Sequence, residues 1–382
     1  MNRFDPLELT QQLVRIDSRN PSLAADGPGE IECARALKAV LDAWGFRTEL
    51  IEDTPRRASV VARIGGGSGR SIMLNGHIDT VQVDGMTHDP YDPKIADGKM
   101  WGRGSCDMKG GVAAMCCAAA RANEAGQLNS EVIVTAVADE EWSSIGTRDV
   151  LSRGYRADAC VVTEPTCMAV APAHRGFVWV TFTFRGRAAH GSRYDIGIDA
   201  IRHAAFLLAE LDLLESRELV NITHPLLGHA SLHASLIEGG VAMSAYPDRC
   251  VLRVERRSLP GETVKGVLGQ LERACANVKA RYPQFDVTMT MDSERHPSDV
   301  PTDAPIVKAL SDATAAVSAR APIAGVSYWS DAALLNDAGM PTVCYGPGDI
   351  ALAHGAIEWI PVEEITRATN ILQRFLAAWT RA

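Results

Sequence analysis

The chain has 382 residues, 46% of them hydrophobic, which is enough for a sizeable core and favours two domains over one. Its formal net charge of -9 at pH 7 excludes the basic surface of a nucleic-acid-binding protein, and no apolar run approaches the roughly 20 residues that span a membrane bilayer. Because the first residues lack the apolar core of a signal peptide and the nine cysteines show no CxxC spacing, we expect reduced thiols in a cytoplasmic protein.

The first part of the chain alternates segments with helical and strand-like patterns. Apolar residues recur at helical spacing from Ile31 to Trp44, where Gly45 is placed to end the helix, and another helix is expected to begin at Asp107. Three continuous apolar runs are typical of strands buried on both faces: Ile72 to Leu74, Val132 to Ala138 and Cys160 to Val162. The pattern predicts an α/β domain with a mostly parallel sheet and helices on both faces.

The pattern changes near residue 177, where apolar and polar residues begin to alternate. The alternation covers Val180 to Phe184 and later Cys250 to Glu255, which indicates a sheet with one buried face. Between these strands, a helix places four apolar residues on one stripe: Ile201, Ala205, Leu208 and Leu211. With a further helix after Gly261 and a closing strand over Val287 to Met291, the order is β-α-β-β-α-β. This order predicts a ferredoxin-like α+β domain inserted as residues 177–293, with residues 1–176 and 294–382 forming the first domain.

Five short Gly-rich or acidic motifs, three of them directly after the apolar runs, carry candidate metal ligands. They are Asn75-Gly76-His77-Ile78-Asp79, Gly104-Ser105-Cys106-Asp107-Met108-Lys109-Gly110-Gly111, Asp139-Glu140-Glu141, Thr163-Glu164-Pro165 and Ala353-His354-Gly355. Ligands delivered from strand ends converge in the crevice where open α/β sheets place their chemistry. A set of carboxylates and imidazoles without cysteine suits zinc, with cobalt or manganese as substitutes. The motifs therefore predict a two-metal site.

Individual residues suggest roles within that site. His77 supplies a neutral nitrogen, and Asp79 can accept the other ring N–H because it projects to the same side two residues later. Asp107 has two oxygens that can bridge two cations roughly 3.5–4 Å apart. Taken singly, an aspartate before a helix is usually an N-cap, and a histidine after a strand is more often structural than a ligand. The joint occurrence of all five motifs favours the metal site.

Adjacent glutamates at a strand end point in different directions, so one of Glu140 and Glu141 is expected to bind metal. The other can take a proton from the metal-bound water, as general-base catalysis requires. The two residues alone do not indicate which glutamate has which role.

In chain order, the motifs resemble the signatures of one family of co-catalytic zinc hydrolases, which includes acetylornithine deacetylase, succinyl-diaminopimelate desuccinylase, aminoacylase and carboxypeptidase G. The similar segments are Gly76 to Val81, Gly102 to Gly111, Asp139 to Glu141, and Gly346-Pro347-Gly348 with Ala353-His354. The resemblance implies two zinc ions per chain, with these ligands: Asp107 bridging, His77 and Glu164 on one ion, Glu141 and His354 on the other. It also implies that Glu140 is the general base, that Asp79 orients His77 and that the Asp107–Met108 peptide bond is cis.

In this family the inserted domain forms the homodimer and acts as a lid. The segment Arg187 to Ser192 is similar to the family segment whose histidine, here His190, stabilises the tetrahedral intermediate, often from the partner subunit. Arg257-Ser258-Leu259-Pro260-Gly261 resembles an Arg-x-x-Pro-Gly motif whose arginine binds the substrate carboxylate; the alternative is a solvated strand arginine. Ser244 stands where the family usually has asparagine, which leaves its contact with substrate open.

The resemblance implies a di-zinc amidohydrolase that removes the acyl group of an N-acyl-amino acid. Hydroxide held by the metals attacks the amide carbonyl, and Glu140 passes the proton to the leaving amine. A metallo-dipeptidase or glutamate-type carboxypeptidase acting on dipeptides is the alternative with the same chemistry. From a different class, a non-catalytic protein that binds small acids is the alternative. Serine hydrolysis is disfavoured because no Gly-x-Ser-x-Gly elbow precedes a helix.

Overall fold

The computed structural model describes residues 3–318 and 322–382, which fall into two compact units. One unit comprises Met1–Pro172, Val300–Ala324 and Ser330–Ala382, and the other comprises Ala173–Asp299 and Gly325–Trp329. The second unit therefore begins slightly before the expected residue 177 and ends slightly after residue 293. It also takes in the segment Gly325–Trp329, which was assigned to the first domain from the sequence.

The helices are α1 (Pro6–Val14), α2 (Ile31–Ala43), α3 (Gly110–Glu124), α4 (Ile145–Ser152), α5 (Ala200–Arg217), α6 (Val264–Arg281), α7 (Pro305–Ser318), α8 (Ala332–Asp337) and α9 (Val362–Trp379). The strands are β1 (Arg47–Ile51), β2 (Ser59–Gly65), β3 (Ile72–His77), β4 (Ile95–Ala96), β5 (Lys99–Trp101), β6 (Glu131–Val137), β7 (Cys160–Val162), β8 (Val170–His174), β9 (Gly176–Arg185), β10 (Thr223–His224), β11 (Gly228–His229), β12 (Ser231–Gly239), β13 (Arg249–Ser258), β14 (Val287–Arg295), β15 (Ser298–Asp299), β16 (Ile323–Val326), β17 (Thr342–Cys344) and β18 (Trp359–Pro361). In the described ranges, no helix is both long and apolar enough to cross a membrane.

The large sheet of the first unit has the order β1-β2-β6-β3-β7-β17-β8. Its central strands β6, β3, β7 and β17 run parallel, and antiparallel pairs flank them on both sides. The carboxyl ends of the parallel strands therefore meet at one edge of the sheet. The prediction of a mostly parallel central sheet is confirmed.

Helices cover both faces of this sheet. On one face, Ile72 and Leu74 of β3 belong to the same core as residues of α3 and α9. On the other face, the Asn75 side chain donates a hydrogen bond of 3.3 Å to Thr147 in α4. Successive residues of β3 thus face different helices, which explains why this strand reads as a continuous apolar run.

The helix expected to begin at Asp107 begins instead at Gly110. Residues Ser105–Lys109 form a π-helical turn in which Asp107 and Met108 have non-helical backbone angles, and the peptide bond between them is cis, as the resemblance implied. A side chain at Gly111 would place its Cβ 2.0 Å from the Thr163 carbonyl oxygen. Glycine is therefore needed where α3 approaches the end of β7, and this close approach brings the Asp107 turn next to that strand end.

The second unit has the order β-α-β-β-α-β through β9, α5, β12, β13, α6 and β14, with β10 and β11 as an added hairpin. Its sheet order, β12-β13-β9-β14, is that of a ferredoxin-like fold, as predicted. The stripe proposed for α5 was right at Leu211, which is 1% exposed, but wrong in register at its start, where Ile201 is 41% exposed. The buried apolar residues are Ala200, Ala204, Leu207, Leu211 and Leu214. Small alanines let the first turns of the helix approach the sheet closely, so size decides which side faces inward there.

Candidate metal centre

Three strand ends in the first unit deliver candidate ligands to the same edge of the sheet. His77 is the last residue of β3, Glu140 and Glu141 follow β6, and Glu164 follows β7. Asp107 comes from the π-helical turn before α3. His354 lies between the 3₁₀ turn Ile350–Leu352 and β18, with a positive φ of 59°.

Asp107 lies between two imidazoles, and each of its carboxylate oxygens faces a different one. Oδ1 is 3.0 Å from Nε2 of His77, and Oδ2 is 3.3 Å from Nε2 of His354. The same His354 nitrogen is 2.9 Å from Oε1 of Glu141. This arrangement suits a carboxylate that is shared between two cations.

Two overlapping groups of ligand atoms are compact enough to hold an ion. One group comprises His77, Asp107 and Glu141, and the other comprises His77, Glu140 and Glu164; within each group, the ligand atoms lie within 4.8 Å of one another. The donors are imidazole nitrogens and carboxylate oxygens, the types that zinc, manganese and cobalt accept. The donor set therefore fits divalent metal.

The two imidazoles are held among negative charges. Burial opposes protonation of His77, but hydrogen bonds to Asp107 and Asp79 outweigh it and raise its pKa well above the usual value. Burial also opposes protonation of His354, yet Asp107 and Glu141 raise its pKa to about 11. Burial raises the pKa of Asp107, and the hydrogen bonds from His354 and His77 reverse this and lower it. Without a cation, protons take the place of the positive charge.

The remaining carboxylates are crowded. Burial, followed by the charge of Glu164, raises the pKa of Glu140, and burial with the charge of Asp107 raises the pKa of both Glu141 and Glu164. Buried Asp331 adds to the charge felt by Glu140 and Glu164. So many buried carboxyl groups are costly unless positive charge compensates them, which agrees with a metal-binding role.

Asp79 is placed differently from the simple expectation. Nδ1 of His77 lies 3.0 Å from the backbone oxygen of Asp79 and 3.5 Å from its carboxylate Oδ1. The two carboxylate oxygens accept the backbone N–H groups of Glu140, at 3.1 Å, and Glu141, at 3.2 Å. Asp79 thus orients the glutamate pair as well as contacting His77.

A buried ion pair supports the backbone of the Asp107 turn. Glu358 accepts the backbone N–H groups of Cys106 and Asp107 at 3.0 and 3.2 Å, and its other oxygen is 2.7 Å from Nη1 of Arg103. Nη2 of Arg103 donates to the backbone oxygen of Gly355, next to His354. One ion pair therefore ties the Asp107 turn to the His354 turn. Glu358 belongs to none of the motifs. It lies more than 250 residues from Asp107 along the chain, so no local sequence pattern could indicate this contact.

His190 and Ser244 lie in the second unit, in loops that contact each other. The Gly191 N–H donates to the Ser244 carbonyl oxygen at 2.7 Å, and the exposed His190 ring has Nδ1 2.8 Å from the Ser192 hydroxyl. Ser244 therefore supports the His190 turn through its backbone.

Arg257 lies in β13 of the second unit, on the sheet face opposite α5 and α6. Its Nε donates to Glu255, and its guanidinium lies 5.5 Å from the centre of the Phe177 ring. The Arg257 side chain is 30% exposed.

Comparison with known proteins agrees with this geometry. The model of peptidase family M20/M25/M40 matches residues 73–378. An acetylornithine deacetylase of Myxococcus xanthus is 31% identical over 351 residues, covering 89% of this chain and 90% of that protein. The N-formyl-4-amino-5-aminomethyl-2-methylpyrimidine deformylase of Bacillus subtilis is 29% identical over 375 residues, covering 90% of this chain and 88% of that protein.

Solved structures share the fold at low sequence identity. An M20 family metallo-carboxypeptidase from Sulfolobus solfataricus has a TM-score of 0.82 at 16% identity, covering 99% of this chain and 100% of that one. A dinuclear metal-binding M20 peptidase from Bacillus subtilis has a TM-score of 0.73 at 17% identity, covering 98% of each chain. With the family model matching most of its length, this hydrolytic enzyme belongs to peptidase family M20/M25/M40.

Proposed function

We propose that the protein is a cytoplasmic, homodimeric di-zinc amidohydrolase that removes the acyl group from an N-acyl-amino acid. The observation that carries the proposal is the Asp107 carboxylate between His77 and His354, with Glu140 in the adjoining group of ligand atoms that shares His77. The names of the deacetylase and deformylase relatives support a deacylase over other hydrolases of the family. Nine free cysteines support the cytoplasmic location.

In this proposal the Asp107 carboxylate is shared between two cations. His77 and Glu164 hold one cation, and Glu141 and His354 hold the other. Cobalt or manganese can substitute for zinc. When bound, the two cations supply Lewis-acid activation of the amide carbonyl and of the attacking water. The protein's own contribution is to fix the ligand directions through Asp79 and through the Arg103–Glu358 pair.

Glu140 is proposed as the general base. Because burial and neighbouring carboxylates raise its pKa, it can hold a proton at a pH where an exposed glutamate cannot. It takes a proton from the attacking water and delivers it to the leaving amine nitrogen. The Asp79 carboxylate holds its backbone N–H, which limits the directions its side chain can take.

A substrate screen tests the proposed reaction. N-acetyl, N-succinyl, N-formyl and aromatic N-acyl amino acids would be compared with dipeptides, with zinc supplied. The proposal expects cleavage of substrates that lack a free amino group on the acyl side. Cleavage only where that amino group is present would identify a dipeptidase, and no cleavage of any amide would favour the acid-binding alternative.

Arg257 is proposed to bind the substrate carboxylate. Arg257→Ala should raise KM about 10- to 100-fold for substrates with a free α-carboxylate, because a charged hydrogen-bonded pair is worth about 1.5–3 kcal/mol. Amide and ester analogues of the same substrates should be affected much less. Arg253 is an exposed arginine on the same face of β13, so Arg253→Ala is the matched control. It should change the KM of neither substrate class. Equal losses on both substrate classes would make Arg257 structural.

His190 is proposed to stabilise the tetrahedral intermediate in the active site of the partner subunit. The family resemblance supports this proposal. The edge strand β12, where Leu236 and Ile237 are each 52% exposed, provides a surface suited to pairing between copies.

Mixing His190→Ala with Glu140→Gln subunits tests the arrangement in trans. In a mixed dimer, one site would combine an intact Glu140 with an intact His190, so up to about half the wild-type activity should return. Each variant mixed with itself is the control. No recovery after demonstrated subunit exchange, or a strictly monomeric protein, would contradict the proposal.

A further inference from the structure

The loop that carries Glu140 and Glu141 is held by buried polar groups, two of which, Asn20 and Arg57, belong to none of the metal-ligand motifs. Asp79 accepts both glutamate N–H groups, and Asp139, directly before the pair, is fully buried with a positive φ of 66°. Two buried carboxylates, Asp79 and Asp139, therefore flank the loop. Their mutual repulsion must be offset for the loop to keep its shape.

Asn20 connects these two carboxylates. Its amide nitrogen donates one hydrogen to Oδ2 of Asp79 at 2.8 Å and the other to Oδ1 of Asp139 at 2.9 Å. A primary amide has two N–H donors, and both are used here. Because Asn20 is completely buried, no water can replace these donors.

Arg57 sets the direction in which the Asn20 amide points. Its Nη2 donates to Oδ1 of Asn20 at 2.6 Å, and the backbone N–H of Ser22 donates to the same oxygen at 2.9 Å. With the amide oxygen occupied by donors, the amide nitrogen must face the two aspartates. The same Nη2 is 2.8 Å from Asp139, and Nη1 is 2.6 Å from Glu30.

We propose that Asn20 and Arg57 are positioning residues for hydrolysis, which act through Asp79 and Asp139 to fix the backbone of Glu140 and Glu141. The inference rests on the proposed function in that it takes Glu140 as the base and Glu141 as a metal ligand. Arg57 supplies the positive charge opposite Asp139 and the orientation of Asn20. Asn20 then holds Asp79 where its two oxygens receive the glutamate N–H groups.

Hydrogen–deuterium exchange tests this positioning without measuring activity. In the zinc-loaded full chain, Asn20→Ala should speed exchange in the segment 138–144 about tenfold while leaving β1 unchanged, because only the local anchor is lost. Leu41→Ala removes a buried side chain from α2 and serves as a control for general destabilisation. It should not speed exchange in that segment. Unchanged exchange in Asn20→Ala, or equal acceleration in Leu41→Ala, would overturn the inference.

The kinetic test asks whether Asn20 acts through Glu140. Asn20→Ala should lower kcat/KM by about 10²-fold, the cost of misplacing a reacting group by about 1 Å. In a Glu140→Gln background, with zinc saturating, the same change should cost about tenfold or less, because the share of the loss that acts through Glu140 is already gone and only the share through Glu141 remains. The same fold loss in both backgrounds would show that Asn20 does not act through Glu140 and would overturn that part of the inference.

Arg57→Lys keeps the inference testable if Asn20→Ala does not fold. Lysine retains the positive charge beside Asp139 but cannot reproduce the guanidinium fork that reaches Glu30 and Asn20 together. An intermediate loss of kcat/KM is expected, and it should be smaller in the Glu140→Gln background. If Arg57→Lys showed the kinetics and the hydrogen–deuterium exchange of the wild-type protein, the inference would be overturned. Should Glu140→Gln alone retain full activity, the general-base assignment would fail, and exchange would still decide the role of Asn20 and Arg57.

Discussion

Glu140→Gln is expected to lower kcat by roughly 10²–10⁴ while leaving folding and metal content nearly intact. Glutamine matches the shape of glutamate but cannot take a proton from water. The Asp79 carboxylate that holds the residue 140 N–H is unaffected by the change. Steady-state kinetics on the best substrate of the screen, together with elemental analysis of the same sample, measures both quantities.

Glu141→Gln is the matched control for this experiment because the two residues are adjacent and share the Asp79 anchor. It should weaken metal binding, since it removes a negative ligand that lies 2.9 Å from His354. Excess zinc should restore part of its activity. If Glu140→Gln lost metal and Glu141→Gln lost only kcat, the two roles would be exchanged.

The elements around the metal centre could be predicted because their signals lie next to each other in the chain. His77 closes a continuous apolar run, and the Glu140–Glu141 pair and Glu164 follow two others, so strand and ligand are read from one short segment. The parallel order of these strands then brings the segments to one edge. At these positions the sequence pattern of each strand and the parallel order of the strands in the sheet lead to the same candidate site.

Other features depend on contacts between distant segments and have no local signal. Asn20 lies 59 residues from Asp79, and Arg103 lies 255 residues from Glu358. The start of α3 was misplaced because a glycine-rich segment after an aspartate looks like an ordinary helix start, whereas Asp107 and Met108 have non-helical backbone angles and the helix begins only at Gly110. The α5 stripe was misplaced because Ile201 is more apolar than the alanines that actually face the sheet.

Removing the metal ions is expected to abolish hydrolysis, and zinc should restore it with a stoichiometry of two per chain. Restoration should depend strongly on pH. In the metal-free protein the pKa of His354 is raised to about 11, and the pKa of His77 is also raised, so both imidazoles carry protons at neutral pH. Metal binding requires neutral imidazoles and ionised carboxylates, so zinc must displace these protons.

The sign of the pH effect follows from these shifts. Because the imidazole pKa values are raised, protons compete with zinc for these nitrogens at low and neutral pH. This competition weakens as the pH rises towards about 11, the pKa of His354. The raised pKa values of the proposed ligands Glu141 and Glu164 act in the same direction, because their protons must also leave. Zinc affinity should therefore rise with pH, by about tenfold per unit for each proton displaced.

Titration of chelator-stripped protein against a competing chelator at several pH values measures this dependence. Calorimetry in two buffers of different ionisation enthalpy counts the protons released. A stoichiometry of one would retain hydrolysis but remove the bridging role of Asp107, and a stoichiometry of zero would refute the metal centre. An affinity that does not change with pH would mean that the imidazoles of His77 and His354 are neutral before metal binds.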